Sequence, residues 1–335
     1  MVSFRAIEKE RREEIIDPER PVIDAHHHLW DYPGRRYLVP EFAQDLATGH
    51  NVVGTVHVEA VAMYDVDAPR HLQPVGETEF ARGAAAMSAS GTFGAARMCR
   101  AIIAFVDLSD LDHVDEAIEA HRNAAGGRLR GIRVGGTWDE DESIRRGLWR
   151  APRNLYLDAT FRRGFARLAA NALSFDAWLY HPQLDDLADL ARAFEDTPII
   201  LDHVGGPLCQ GRHRDRWDEE TAQWRASIRR LGELPNVHVK LGGLGMWTAG
   251  FGFEDLPDAP SSETVAAAVA PYFEHCIEAF GPRRAMFESN FPADKPAYGY
   301  DVIWNAMKRV AKSYSADEQH ELFFGTANRV YRLGY

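Results

Sequence analysis

Apolar residues along this chain gather into short runs separated by longer stretches of mixed polarity. Eight runs read as strands: VIDAHHHL (22–29), VVGTVHVEA (52–60), AIIAFVD (101–107), LRGIRVG (129–135), FDAWLYH (175–181), PIILDHV (198–204), NVHVKLG (236–242) and RAMFESN (284–290). Between them, DEAIEAHRNAA, FRRGFARLAANA, LDDLADLARAFED and ETVAAAVAPYFEHCIEAF repeat their apolar residues at the helical period. Strands alternating with helices predict an α/β fold, a (β/α)8 TIM barrel, with a doubly wound open sheet as the alternative. No repeat or linker divides the chain, so 1–335 is expected to be a single domain carrying a charged N-terminal extension over 1–20. Three stretches, 61–99 (with one helical signal near ETEFARGAAAM), 205–224 and 242–262, are too loop-rich for simple connectors. Because they follow strands, they are expected to lie over the barrel mouth and shape a pocket.

Polar residues cluster at the C-terminal ends of the predicted strands: His28, Glu59, Arg133, His181, His203, Lys240 and Asn290. In a barrel those ends converge on one mouth, where active sites are built. A core has no use for such a collection, because buried ionisable groups are costly unless paired.

The stretch DAHHHLW (24–30) carries the sharpest signal. Alternation along a strand puts His26 and His28 on one face, with Asp24 deeper on that face and His27 turned towards the helices. Two imidazoles so placed suit one divalent metal or one oxyanion. His181 and His203 end later strands and are expected at the same mouth.

Composition narrows the partners. Lys and Arg number 38 against 50 Asp and Glu, a net charge of −12, which argues against nucleic acid and anionic membranes. Three cysteines, Cys99, Cys209 and Cys276, lack metal-type spacing and fit a reducing compartment. The charged N-terminus carries no signal-peptide pattern and no run reaches transmembrane length, so a cytoplasmic location is expected. A small-molecule substrate is the expected partner, and aromatic loops point to a homodimer.

Taken together, IDAHHHLWD, VVGTVHVEA, GETEF, FVDL, LRGIRVG, HPQLDDLADLARAF, PIILDHVGGP, NVHVKLGGLGM, MFESNFPAD and FFGTANRVYRL resemble the lactonase-like "amidohydrolase 2" branch of the amidohydrolase superfamily across nearly the whole chain. The resemblance implies a barrel and the hydrolysis of a small carboxylated or sugar-derived lactone. It puts the first-strand HxH on His26 and His28, the sixth-strand histidine on His203 and a fifth-strand position on His181. It implies a divalent metal, zinc or manganese, held by His26, His28 and His203. The match fails at the eighth strand, where the family's aspartate in a GSDWP-like turn is Asn290 of ESNFP. A carboxamide cannot take a proton from water, though it can hold that water by hydrogen bonding. A metal-independent site is therefore the alternative. Glu288, two residues earlier and roughly 7 Å deeper by strand geometry, either supplies the lost charge or neutralises Lys240.

The expected chemistry is water addition to a lactone carbonyl. His26, His28 and His203 would stabilise the oxyanion, and His181 or a nearby carboxylate would relay the proton. Glu59 is expected to bind substrate, and Arg133 either to bind a substrate carboxylate or to pair with Glu59. Lys240 is a further binding candidate, whose bland role is balancing buried carboxylates. Trp30, Tyr180, Trp247 and Phe291 would form aromatic walls. The glycine pair after Arg133 would let ligand approach the backbone. The rival readings are a decarboxylase or hydratase of the same superfamily, and a non-catalytic ligand-binding descendant.

Overall fold

The computed structural model describes residues 12–144 and 150–335. Within it the eight expected strands form one parallel sheet: β1 Val22–His27, β2 Val52–Val58, β3 Arg97–Ala104, β4 Leu129–Arg133, β5 Ser174–Ala177, β6 Ile199–Leu201, β7 Val237–Leu241 and β8 Ala285–Phe287. Each pairs with its neighbours in chain order. The sheet closes where His27 bridges Phe291: His28 N donates to Phe291 O at 2.7 Å and Asn290 N donates to His26 O at 3.0 Å. The fold is therefore a TIM barrel, and the open doubly wound sheet is excluded.

Helices fall where the periodicity puts them at Val75–Ala89, Val114–Ala124, Leu184–Ala193 and Ser262–Phe280, and a further helix, Tyr300–Ala311, was not read from the pattern. The stretch FRRGFARLAANA breaks into two short helices, Ala159–Phe165 and Arg167–Ala170. Two boundaries need correction. The segment 61–99 is not all mouth loop, because helix Val75–Ala89 packs on the outside of β3, which begins at Arg97. Strands β4, β5, β6 and β8 stop short of their expected ends, so the polar residues beyond them sit on loops rather than on alternating strand positions.

Strand β1 does not alternate simply either. Its register against β2 runs Asp24 to Thr55 and then His27 to His57, so three steps on β1 face two on β2. Such a bulge reverses the inward and outward assignment on either side of it. Ile23 and Ala25 therefore face the lumen, with Val56, Val58, Ala101, Ile103, Ile200 and Met286. Asp24 faces outward, accepting hydrogen bonds from Ser289 Oγ (2.6 Å) and Tyr300 Oη (2.9 Å). The expectation that Asp24 lies beneath His26 on one face is thus overturned. His26 and His28 do share a face, and His27 does turn outward, against Phe42 and Thr55 Oγ1.

The barrel floor is closed by the tail of the chain. After helix Thr326–Val330, Tyr331 and Leu333 pack into the lumen cluster. Their carbonyls are held by Arg130 Nε (2.8 Å) and Arg100 Nε (3.0 Å). The Tyr331 hydroxyl donates to Asp176 Oδ2 at 2.8 Å. That same oxygen lies 2.6 Å from Lys240 Nζ, which is also 3.0 Å from Asp202 Oδ1. Lys240, Asp176 and Asp202 are all fully buried. Of the N-terminal extension, residues 1–11 lie outside the described residues. The part that follows lies on helix Tyr300–Ala311, with Ile16 N donating to Asn305 Oδ1 at 2.9 Å. The three cysteines are unpaired and buried, and no described helix is long and apolar enough to cross a membrane.

Replacing Lys240 by Met keeps the volume of the stem and removes the charge between two buried carboxylates. Breaking a buried ion pair from one side costs about 3–5 kcal/mol. Urea unfolding of Lys240→Met is expected to show a loss of that size, and a loss under 1 kcal/mol would contradict it.

Candidate active site

The bulge delivers His26 and His28 to the C-terminal mouth with their Nε2 atoms 3.2 Å apart and their rings edge to face. His28 Nδ1 lies 2.8 Å from Val58 O. A carbonyl only accepts, so the His28 proton sits on Nδ1 and its Nε2 carries a lone pair. Burial first, and then the Lys240 ammonium, hold His26 well below the usual histidine range, so its ring is neutral. Its Nδ1 lies 3.0 Å from Glu288 Oε2 and 3.1 Å from Lys240 Nζ. With the His26 proton on Nδ1, the ring donates to Glu288 and two Nε2 lone pairs face each other. With the proton on Nε2, it donates to His28 and Nδ1 accepts from Lys240.

The first arrangement fits a cation. Two nitrogens bound tetrahedrally at about 2.0–2.1 Å stand roughly 3.3 Å apart, close to the observed separation. Each ring also has its other nitrogen tied to a carbonyl or carboxylate, the support that metal-binding histidines require. A different grouping, His26, Asp202 and His203, has ligand atoms within 4.8 Å of one another. On that side Lys240 Nζ already stands against Asp202 Oδ1 and His26 Nδ1.

Glu288 joins the third histidine to the pair. Its Oε1 accepts from His203 Nδ1 at 2.6 Å, and the His203 ring centre lies 4.6 Å from that of His26. Burial opposes the Glu288 charge, but the two imidazoles outweigh it and hold the carboxyl down at about 2. Glu288 makes its ion pairs with His26 and His203, bracing the histidines, rather than neutralising Lys240 as one of its two expected roles had it. Lys240 finds its carboxylates in Asp176 and Asp202 instead.

Local backbone makes this possible. His203 and Val204 adopt left-handed conformations (φ 55° and 48°) just after β6, turning the imidazole back over the mouth. Gly243, also left-handed at φ 70°, lies under the His203 ring, and a Cβ there would strike it. A Cβ on Gly242 would strike Glu288. The GG of KLGG therefore makes room for the two site residues.

Trp30 stacks on His28, with centroids 5.7 Å apart and planes 18° apart. Trp178 sets its edge on His203 at 4.7 Å. Trp178 was not foreseen. Tyr180 was, and it packs with Ile144 and Leu208 and against Trp178. Phe291 is buried against Tyr300 rather than lining a pocket. Trp247 opens a short turn, Trp247–Ala249, in the loop after β7.

Arg133 takes the second of its expected roles. Its Nε lies 2.7 Å from Glu59 Oε1 and its Nη1 lies 3.6 Å from Asp202 Oδ2. Arg133 and Glu59 are thus paired with each other. Lys240, fully buried, takes its expected alternative role of balancing buried carboxylates, Asp176 and Asp202. The glycine pair after Arg133 serves Tyr156: a Cβ on Gly136 would lie 2.8 Å from that ring. Beside Glu59, the buried Glu77 accepts from Ala60 N at 2.8 Å; burial and then the Glu59 charge raise its pKa well above normal.

His181 is placed elsewhere. Because β5 ends at Ala177, alternation does not carry His181 to the barrel face. Its Nε2 lies 2.7 Å from Glu220 Oε2, and its Nδ1 accepts from Leu208 N at 3.1 Å. Glu220 in turn lies 3.0 Å from His213 Nδ1, and His213 Nε2 lies 3.0 Å from Asp139 Oδ2. The expected role of His181 as proton relay beside His203 is overturned. Although His181, His213 and Glu220 group like ligands, the backbone N–H uses the Nδ1 lone pair. The His181 proton must then sit on Nε2, leaving no lone pair for a cation.

The amidohydrolase family profile matches residues 23–333 of the chain. A protein of Sinorhizobium fredii, described only as uncharacterized protein y4mH, is 30% identical over 345 residues, 93% of this chain and 98% of its own length. An L-fucono-1,5-lactonase of Burkholderia multivorans is 35% identical over 181 residues, 52% of this chain and 57% of that enzyme. A crystal structure of a Burkholderia multivorans amidohydrolase with bound zinc is 28% identical. It has a TM-score of 0.70, covering 93% of this chain and 99% of that one.

The depressed Glu288 pKa sets a pH dependence. Its stabilising effect is complete above the ordinary value of 4.5 and is lost as pH falls towards about 2. The shift corresponds to about 3 kcal/mol. Denaturant titrations from pH 6 to pH 2 are expected to show that loss in the wild type. In Glu288→Gln the acid limb should be flatter by about that amount; parallel limbs would contradict the assignment.

Proposed function

The chain belongs to the amidohydrolase family, and from that premise we propose that it is a hydrolase opening the ring of a small lactone, with sugar-acid lactones as the favoured class. One observation carries the reading: three imidazoles converge at the barrel mouth, two of them braced by a single buried carboxylate. The similarity of half the chain to an L-fucono-1,5-lactonase supports the choice of lactone.

His26 and His28 would hold a divalent cation between their Nε2 atoms, with His203 adjacent, and zinc is the first candidate because a relative of known structure binds it. Such a cation supplies Lewis acidity at the substrate carbonyl. The proton work falls to His203. Glu288 holds its Nδ1–H, which leaves Nε2 as a lone-pair base, the logic by which a carboxylate orients a catalytic histidine. His203 Nε2 takes a proton from the attacking water as the oxygen bonds to the carbonyl carbon. It returns that proton to the ring oxygen as the ring C–O bond breaks, and the product is a hydroxy acid. Trp30 and Trp178, lying against His28 and His203, offer apolar faces to the carbon side of a ring.

A pH-stat assay over aldonolactones, pyrones and muconolactones is expected to record acid release from at least one aldonolactone. Carbon dioxide release without ring opening would replace the lactonase reading with a decarboxylase, and no reaction across the panel would refute it. His203→Asn is expected to lower kcat by about 10²–10⁴-fold, and a loss of less than about tenfold would contradict its role. Purified without chelators, the wild type should carry one equivalent of zinc or manganese by elemental analysis. His26→Ala should carry none, and metal-free active wild type would remove the cation from the scheme.

A further inference from the structure

Asn290 stands where the family's pattern has a carboxylate, and its surroundings give the carboxamide a defined job. The residue follows β8 in a left-handed conformation (φ 53°), which asparagine tolerates better than most side chains. Its backbone N–H donates to His26 O, anchoring it beside the first histidine strand. The side chain is 1% exposed. Its Nδ2 donates to Asp294 Oδ1 at 2.8 Å.

Asp294 is itself fixed on all sides. Its Oδ2 accepts from Gly245 N at 2.8 Å and from Tyr298 Oη at 2.7 Å, and its N–H returns to Asn290 O at 3.1 Å. An ionised carboxylate offers acceptors only, so it dictates that the NH2 end of the amide faces it. The amide oxygen is left over. Asn290 Oδ1 is buried and has no hydrogen-bond partner among the described residues. Leaving a buried acceptor without a donor is unfavourable, a cost that vanishes when a donor enters the site.

We propose that Asn290 Oδ1 is the acceptor that orients the attacking water, and that Asp294 is the positioning residue that holds it in place. The inference rests on the hydrolytic reading above. No bond changes at Asn290: one water hydrogen points at Oδ1, the other is the proton that His203 Nε2 removes, and an oxygen lone pair is left facing the carbonyl. The pairing also accounts for the departure from the family's pattern. An aspartate at 290 would set two carboxylates within hydrogen-bonding distance, and such a pair cannot stay doubly ionised.

A double-mutant cycle tests the assignment on whichever lactone the enzyme opens. Asn290→Ala and Asp294→Ala are each expected to lower kcat by about 10–100-fold while KM changes by less than about threefold. If Asp294 acts through Asn290, the double variant is no slower than Asn290→Ala alone. Losses that multiply would make Asp294 a scaffold residue and overturn the proposal. Should Asp294→Ala fail to fold, Asp294→Asn keeps an acceptor for the amide and takes its place in the cycle, where the same non-additivity is expected. A crystal structure of the wild type supplies a readout independent of turnover. It should show an ordered water within 3.5 Å of Asn290 Oδ1, and an oxygen with no donor in that radius would overturn the proposal. If no lactone is opened, the proposed function fails while the crystallographic result still decides the fate of the Asn290 acceptor.

Discussion

The ammonium of Lys240 is the charge around which the interior of this barrel is organised. It stands against Asp176 and Asp202 with no access to water, and against His26 Nδ1 at 3.1 Å. Burial alone would push Asp202 towards its neutral form. Lys240, with His203 and Arg133, outweighs that and holds its pKa below normal. The same ammonium, after burial, helps keep His26 neutral, and a neutral ring is what a cation or an oxyanion site requires. A charge at the floor of the barrel thus adds to burial in setting the protonation of His26 at its mouth.

Above that layer, the three histidines are oriented by buried groups around them. Glu288 aligns two of them, Val58 O aligns the third, and two glycines after β7 vacate the space in which His203 and Glu288 lie. Precision here comes from backbone devices as much as from side chains: a bulge in β1 and the left-handed turn at His203.

The barrel was legible because its evidence is repeated eight times. An error of a few residues at a strand end does not change the count. The pair His26 and His28 was legible for a different reason, since they lie on the same side of the bulge and their mutual alternation survives it. Asp24 lies on the other side of that bulge, and nothing in IDAHHH announces an extra residue. His181 was expected at the strand end because the strand was carried past Ala177, where it has already ended, and Trp178 in the same stretch was passed over. Arg133 was readable as far as chemistry goes, but its choice between a ligand and Glu59 depends on a distance across the barrel that no local pattern encodes. Asp202 and Asp176 lie inside the quoted motifs beside residues that drew the eye. Their role emerges only when β5, β6 and β7 stand side by side.

The hydroxyl of Tyr331 reaches Asp176, one of the two carboxylates that hold Lys240. The charge balance of the interior therefore spans the chain from His26 to its last few residues. On the ribosome, the histidine strand emerges early and waits for more than three hundred residues before its floor is complete. Domains are commonly assembled as they are synthesised, yet here a nascent chain ending after β8 would hold Lys240, Asp176 and Asp202 in a lumen still open to water from below. Tyr331 must be in place before those interior charges are sealed from water on the floor side.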